Sequence, residues 1–197
     1  MIEPDTQLDR MPPLPDSQLT PAQRTAVAEI SAGRRGGVIG PFAPLLRSPE
    51  FMTRLQKTGE YLRFSSPLKR RLFEMTILIV SRWWDQEFEW GFHHPLALQA
   101  GLDPAIADAI AEDRRPEGMD LATAVTWDLL DELLRTRGVS DPTYARALSE
   151  LGEAGIVEVV GAAGYYTTLA MVMNTARTPA PGGTQLPDVR SAAGGRT

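Results

Sequence analysis

Two histidines and the acids around them are the residues in this chain whose types and spacing best suit chemistry. They fall in the run Glu87-Phe88-Glu89-Trp90-Gly91-Phe92-His93-His94, and the chain has no other histidine. Glu89 and His93 are four residues apart, so they share a face if a helix continues through Gly91. A carboxylate beside an imidazole raises its pKa and fixes its tautomer, which suits general acid–base work near neutral pH. The same histidine also fits a plainer role, closing a helix end where the dipole favours a cation. Glu74 is the third candidate. It stands inside the apolar run Leu72 to Val80. If that run is buried on all sides, the carboxylate must find a partner or hold its proton. The alternative is that Glu74 faces solvent beside Arg70 and Arg71.

Other chemistries have less support. Glu87, Glu89, His93 and His94 offer metal-ligand types, but adjacent histidines on a helix point about 100° apart and rarely share one ion. Trp83, Trp84 and Trp90 suit a pocket wall, and they suit plain core packing as well. The chain has no cysteine, which excludes thiolate nucleophiles and disulfides. Gly33 to Gly40 lacks the lysine and the strand–loop–helix setting of a phosphate loop, and no G-x-S-x-G elbow is present. No cofactor and no metal are expected. A formal charge of -5 argues against nucleic acid as a partner. Arg34-Arg35 and Lys69-Arg70-Arg71 read as solvated helix faces and loops. Residues 1–16 lack the charged-then-apolar pattern of a secretory signal, so a cytoplasmic protein is expected.

The elements that must position these residues read as helices. Thr20-Pro21, Ser48-Pro49, Ser66-Pro67, Asp103-Pro104 and Ser140-Asp141-Pro142 each place a capping side chain before a first-turn proline. The first helix should run to about Ala32, where Gly33 and the Gly36-Gly37 pair stop it. Leu68 to Trp90 holds neither Gly nor Pro and reads as one long buried helix. Gly91 should interrupt it, and Pro95 should open a short helix ending at Gly101. Asp120 should cap a helix that ends near Gly138. Ile156 to Met173 is apolar but carries Glu158, two threonines and two glycines, so it reads as a core or interface helix rather than a membrane span. It is too apolar for a surface helix, which points to a homo-oligomer with Gly161 and Gly164 allowing close approach. With 43% hydrophobic residues and no alternating strand pattern, the fold class is an all-α bundle. The expected organisation is a flexible arm over 1–19, one helical domain over 20–177 and a disordered tail over 178–197.

These residues carry a resemblance. Trp84-Asp85-Gln86-Glu87-Phe88-Glu89-Trp90, then His93 and Gly101, with Glu74 upstream, resembles the signature of the carboxymuconolactone decarboxylase family. Gly40-Pro41-Phe42, Leu45 to Glu50, Val157 to Val160, Gly164-Tyr165-Tyr166 and Asn174 are similar to its other segments, so the resemblance spans about 38–175. It implies an alkylhydroperoxidase D-like fold that assembles into trimers or hexamers. In the peroxidase branch a C-x-x-C pair precedes the corresponding histidine. Here those two positions hold Gln86 and Glu89, while the relay glutamate and histidine fall on Glu74 and His93. Thiol peroxidase chemistry therefore cannot run on this chain. The resemblance implies a cofactor-free lyase acting on a small carboxylate or lactone by decarboxylation or isomerisation. Glu74 and His93 would be its acid–base pair, with Glu89 orienting His93. The rival readings are a non-catalytic oligomeric helical protein that binds a ligand or partner and, less favoured, a non-thiol antioxidant protein.

Overall fold

The computed structural model describes residues 9–180, 182 and 185–188. Among these residues there are eight α-helices and no strand. They are α1 (Pro21–Ala32), α2 (Phe42–Leu45), α3 (Pro49–Phe64), α4 (Arg70–Trp83), α5 (Glu87–Gln99), α6 (Pro104–Ala111), α7 (Leu121–Thr136) and α8 (Asp141–Ala176).

Helix α4 is the hub. Leu72 to Arg82 are all buried, as a helix must be when it is apolar on every side. It packs against α5, α6, α7 and α8. Its hydroxyl side chains are satisfied locally: Thr76 donates to the Leu72 carbonyl at 2.9 Å, and Ser81 to that of Ile77 at 2.8 Å. Fully burying each of Ile77 and Leu78 contributes about 1.5–3 kcal/mol.

Helix starts follow the capping logic at α1, α6 and α7, whereas at α3 Pro49 opens the helix without a side-chain cap from Ser48. Thr20 forms a reciprocal capping box with Gln23, and Asp103 and Asp120 accept from Ala105 and Thr123. Three expected limits differ. Ser66 accepts from the Leu68 N–H at 3.1 Å, so Ser66-Pro67 closes a turn and α4 begins only at Arg70. The long helix expected over Leu68 to Trp90 is two helices, because Asp85 takes a left-handed φ of 49°. Asp tolerates that region better than most residues. Gln86 caps α5 by accepting from Phe88 N–H at 2.7 Å. Helix α5 then runs through both Gly91 and Pro95, where the sequence suggested an end and a start. Pro95 leaves the Gly91 carbonyl without its intrahelical donor. Burial of Trp90, His93 and Ala97 holds the helix across that gap.

Helix α8 contains one non-helical residue, Gly152, with φ 68°. It is long and apolar enough to cross a membrane by length and composition. Its Val159, Ala162, Ala163, Tyr166, Leu169, Ala170 and Met173 nonetheless pack into this protein's own core.

The expected arm over 1–19 lies outside the described residues at 1–8. From residue 9 on it is tied down: Arg10 N–H donates to the Ala176 carbonyl at 2.7 Å, and Leu19 is buried. The expected tail lies outside them at 181, 183–184 and 189–197. Within it, Leu186 packs on the core and the Pro187 carbonyl accepts from Arg82 at 2.8 Å.

Gly40 is the one glycine on which the entry to α2 depends. It has φ 58°, and a Cβ there would meet the Phe88 ring. Gly40→Ala should therefore destabilise the protein by about 2 kcal/mol and lower Tm by roughly 4–8 °C in a thermal melt. An unchanged Tm would mean that Phe88 moves aside at no cost.

Candidate acid–base site

The α4–α5 turn is what brings the candidate residues together. Glu74 and His93 are 19 residues apart. On one straight helix they would stand about 28 Å apart, at 1.5 Å per residue. The turn at Asp85 folds α5 back along α4, and His93 Nδ1 comes to lie 2.7 Å from Glu74 Oε2. His93 Nε2 lies 3.3 Å from Glu89 Oε2, one helical turn back on α5. Arg70, one turn before Glu74 on α4, forms an ion pair with the other oxygen of that carboxylate. The result is a chain of alternating charge, Arg70–Glu74–His93–Glu89.

The turn itself is pinned from α8. Gln86 Nε2 donates to Asn174 Oδ1 at 2.7 Å, and Asn174 Nδ2 donates to the Trp84 carbonyl at 2.8 Å. Arg82 pairs with Asp85. Gln86 and Glu89 thus have separate jobs, one holding the turn and the other facing the histidine.

The cluster is dry. Glu74 is fully buried, and Glu89 and His93 nearly so. Burial acts to lower the His93 pKa, but hydrogen bonds and charge from Glu74 and Glu89 outweigh it and raise the value above 6.5. A carboxylate stands at each ring nitrogen, so the protonated ring can donate to Glu74 from Nδ1 while Nε2 faces Glu89. Tyr166 packs edge-on against the His93 ring, with centroids 5.2 Å apart. Its hydroxyl is held well above pKa 10 by burial first and then by the charge of Glu89. Tyr165 is raised to about 12, mainly by burial. Both phenols are neutral at physiological pH.

A cavity of about 270 Å³ opens onto Glu89 and His93. Phe42, Phe64, Phe88, Phe92 and Tyr166 form apolar walls, and Arg34, Arg35 and Arg63 stand around it. Glu74 is not part of the lining and sits behind His93. His94 does not line the cavity either and stacks on Trp90, whose ring is core. Trp83 lies under the Arg135 guanidinium, away from the cluster. Nothing in the sequence pattern marks Arg63 as a site residue, and the expectation that Arg34-Arg35 is solvated holds for Arg34 alone. Arg35 is in fact half-buried and donates to the Tyr165 hydroxyl at 3.1 Å. Charge blocks along a sequence do not report such convergence from α3, α5 and the α1–α2 loop.

No protein-family model matches this chain, and no curated protein matches it by sequence. Solved structures that share its fold include two bacterial proteins. One is an uncharacterised peroxidase-related protein from Ralstonia eutropha JMP134, described as an alkylhydroperoxidase AhpD core. It superposes with a TM-score of 0.70 at 15% identity, covering 88% of this chain and 92% of that one. The other is a protein of unknown function from Agrobacterium tumefaciens, described as a candidate antioxidant-defence protein AhpD. It gives a TM-score of 0.63 at 18% identity, covering 70% of this chain and 94% of that one. The chain has the all-α AhpD-like fold.

The His93 environment makes a signed prediction. A folded-state pKa above the unfolded value contributes stability that is complete below about 6.5 and is lost as pH rises through the folded value. In an NMR titration His93 should titrate above 6.5. With both Glu74→Gln and Glu89→Gln in place only burial remains, and the value should fall below 6.5. A double variant that still titrates above 6.5 would show that other groups hold the proton.

Proposed function

We propose that this protein is a cofactor-free acid–base enzyme of the lyase or isomerase type, acting on a small organic acid or lactone. The observation that carries the reading is the Glu89–His93 pair. It is buried, joined to a second carboxylate, and opens onto an apolar cavity of about 270 Å³. That size lies at the small end for ligand sites and fits a compact molecule.

The roles proposed here differ from those expected from the sequence. Glu89 and His93 line the cavity and are the groups that meet substrate, whereas Glu74 stands behind them and reaches His93 and Arg70. Glu89 is placed to take a proton from carbon. The electron pair of the broken C–H bond moves onto the adjoining carbonyl, and the proton returns at a different carbon when the product is an isomer. When the product is formed by loss of CO2, the C–C bond breaks instead. Its electron pair stays on the substrate, and the His93 proton, passed through Glu89, quenches it. Glu74 is a positioning residue that orients the imidazole and supports its charge, with Arg70 behind it. A dry, fixed arrangement of this kind strengthens each electrostatic interaction at the moment of transfer.

The fold's neighbours are described as peroxidase-related or antioxidant proteins, but a chain without cysteine has no thiol to cycle. The decarboxylase resemblance of residues 84–101, with Glu74, favours proton chemistry over peroxide reduction.

We also propose a homo-oligomer. Val157, Val160, Gly161, Gly164 and Met171 lie at helical spacing on the outer face of α8 and are all exposed. No atom beyond the helix lies within 4 Å of where a Gly164 Cβ would stand. Light scattering should give a mass above the 21.6 kDa of one chain, and Val160→Glu should reduce it to one chain. A wild-type monomer at micromolar concentration would overturn the proposal.

The enzymatic test requires a screen of carboxylated lactones and small unsaturated acids. Once a substrate is found, Glu89→Gln and His93→Asn should each lower turnover by about 10²–10⁴-fold. Their combination should add little, since the two act as one unit. Glu74→Gln should lower kcat and move the pH profile toward acid, because His93 loses its proton more easily. Wild-type turnover in His93→Asn would remove the histidine from the mechanism.

A further inference from the structure

Three guanidinium groups line the cavity onto which the acid–base cluster opens. Arg34 stacks over Phe64 at 4.2 Å, Arg35 over Phe42 at 4.8 Å, and Arg63 over Phe92 at 5.3 Å. Among the described residues none of the three is ion-paired with a carboxylate, in a chain whose formal charge is -5. Most other arginines here do find an acid: Arg54, Arg70, Arg71, Arg82, Arg114, Arg115, Arg135 and Arg146 are all ion-paired. The Nε atoms of Arg35 and Arg63 are also buried and have no hydrogen-bond partner. A buried donor left unpaired costs about 1–3 kcal/mol, more when charged. Resting aromatic rings hold these side chains in place without supplying an acceptor.

Gly59 shows how closely one of them is fitted. A Cβ at Gly59 would collide with the Tyr165 hydroxyl and with the Arg35 guanidinium. The backbone of α3 therefore leaves the room in which Arg35 reaches Tyr165.

We infer that Arg35 and Arg63 form a seat for a carboxylate that the substrate keeps throughout turnover, with Arg34 drawing anions to the mouth. The inference rests on the acid–base reading of the same cavity and adds an orientation to it. A carboxylate is attracted to the guanidinium groups and repelled by the Glu89 carboxylate on the same cavity, so one polarity is favoured. The anion then lies away from Glu89 and His93, and the reacting carbon lies against them. A carboxylate clamped by guanidinium forks is stabilised as the ground-state anion, which opposes its departure as CO2. The seated carboxylate is therefore not the leaving one. The substrate class is an acid that isomerises with its carboxylate intact, or a diacid or carboxylated lactone whose second carboxyl group is the one lost.

The seat can be tested without a known substrate. The probes are benzoate and its neutral isostere benzamide, titrated calorimetrically into the full chain. Benzoate should bind at least about tenfold more tightly than benzamide. Arg35→Gln and Arg63→Gln should each weaken benzoate by roughly tenfold and leave benzamide unchanged. Arg63→Lys keeps the charge and loses the fork, so it should fall between wild type and Arg63→Gln. It also decides the question if circular dichroism shows Arg63→Gln to be unfolded. Arg54→Gln, on an exposed arginine of α3 that does not line the cavity, should bind benzoate as wild type does, which separates the seat from a general loss of positive charge. Equal affinity for the two probes, no saturable benzoate binding at millimolar concentration, or no effect of both arginine substitutions would overturn the seat. Any of these would leave the acid–base reading to be judged on turnover in Glu89→Gln and His93→Asn.

Discussion

The site depends on keeping a carboxylate in the middle of an apolar helix. Glu74 lies on α4 between Phe73 and Met75, with no exposure to water. Taking an ion of that size out of water costs several kcal/mol even after relaxation, and the cost is offset only by close, well-directed partners. Arg70 supplies one from the same helix, and His93 supplies the other from α5. The packing of α5 on α4 therefore has an electrostatic requirement as well as an apolar one. Sliding one helix past the other by a turn would bury Glu74 against aliphatic side chains. The same requirement fixes the imidazole, since both ring nitrogens are committed to carboxylates.

Much of this was legible in the sequence as residue type, and little of it as position. A lone glutamate in a buried run needs a partner, and the only histidines, His93 and His94, follow that run in the next helix. What the sequence concealed was the turn. Leu68 to Trp90 has no glycine or proline, yet the chain reverses at Asp85, using an αL backbone that Asp tolerates and hydrogen bonds that come from Asn174, 88 residues beyond Gln86. Propensity is local, and that bond is not. The converse error arose at Gly91 and Pro95, where breakers sit inside a helix that burial sustains. The all-α class survived both errors because each moved a helix limit without changing a helix into something else.

The arginines were hidden for a related reason. Arg34-Arg35 is a short basic pair following a helix, and Arg63 is a single cation near a helix end. Nothing in either context distinguishes a solvated side chain from one laid on a phenylalanine ring. Their significance comes from what is missing around them, and a missing ion pair is a tertiary property. The aromatic residues that cradle them were equally easy to assign to the core, since Phe42 does pack there while also meeting Arg35.

A helical scaffold that merely bound a small acid would need the cavity and the arginines, but it would gain nothing from a histidine held between two carboxylates. A purely structural ion network would gain nothing from opening onto a cavity. Buried charge networks do occur for structural reasons, so the cluster by itself argues weakly. The two features together argue more strongly, because each alternative explains one and leaves the other idle. Glu89 is where they meet. It is nearly buried, it touches His93, and it lines the same cavity as the arginines. An unneeded carboxylate at that place would repel the very anions the arginines attract. Its retention beside them makes sense when its task is to exchange a proton with one end of a molecule whose other end is held by its charge.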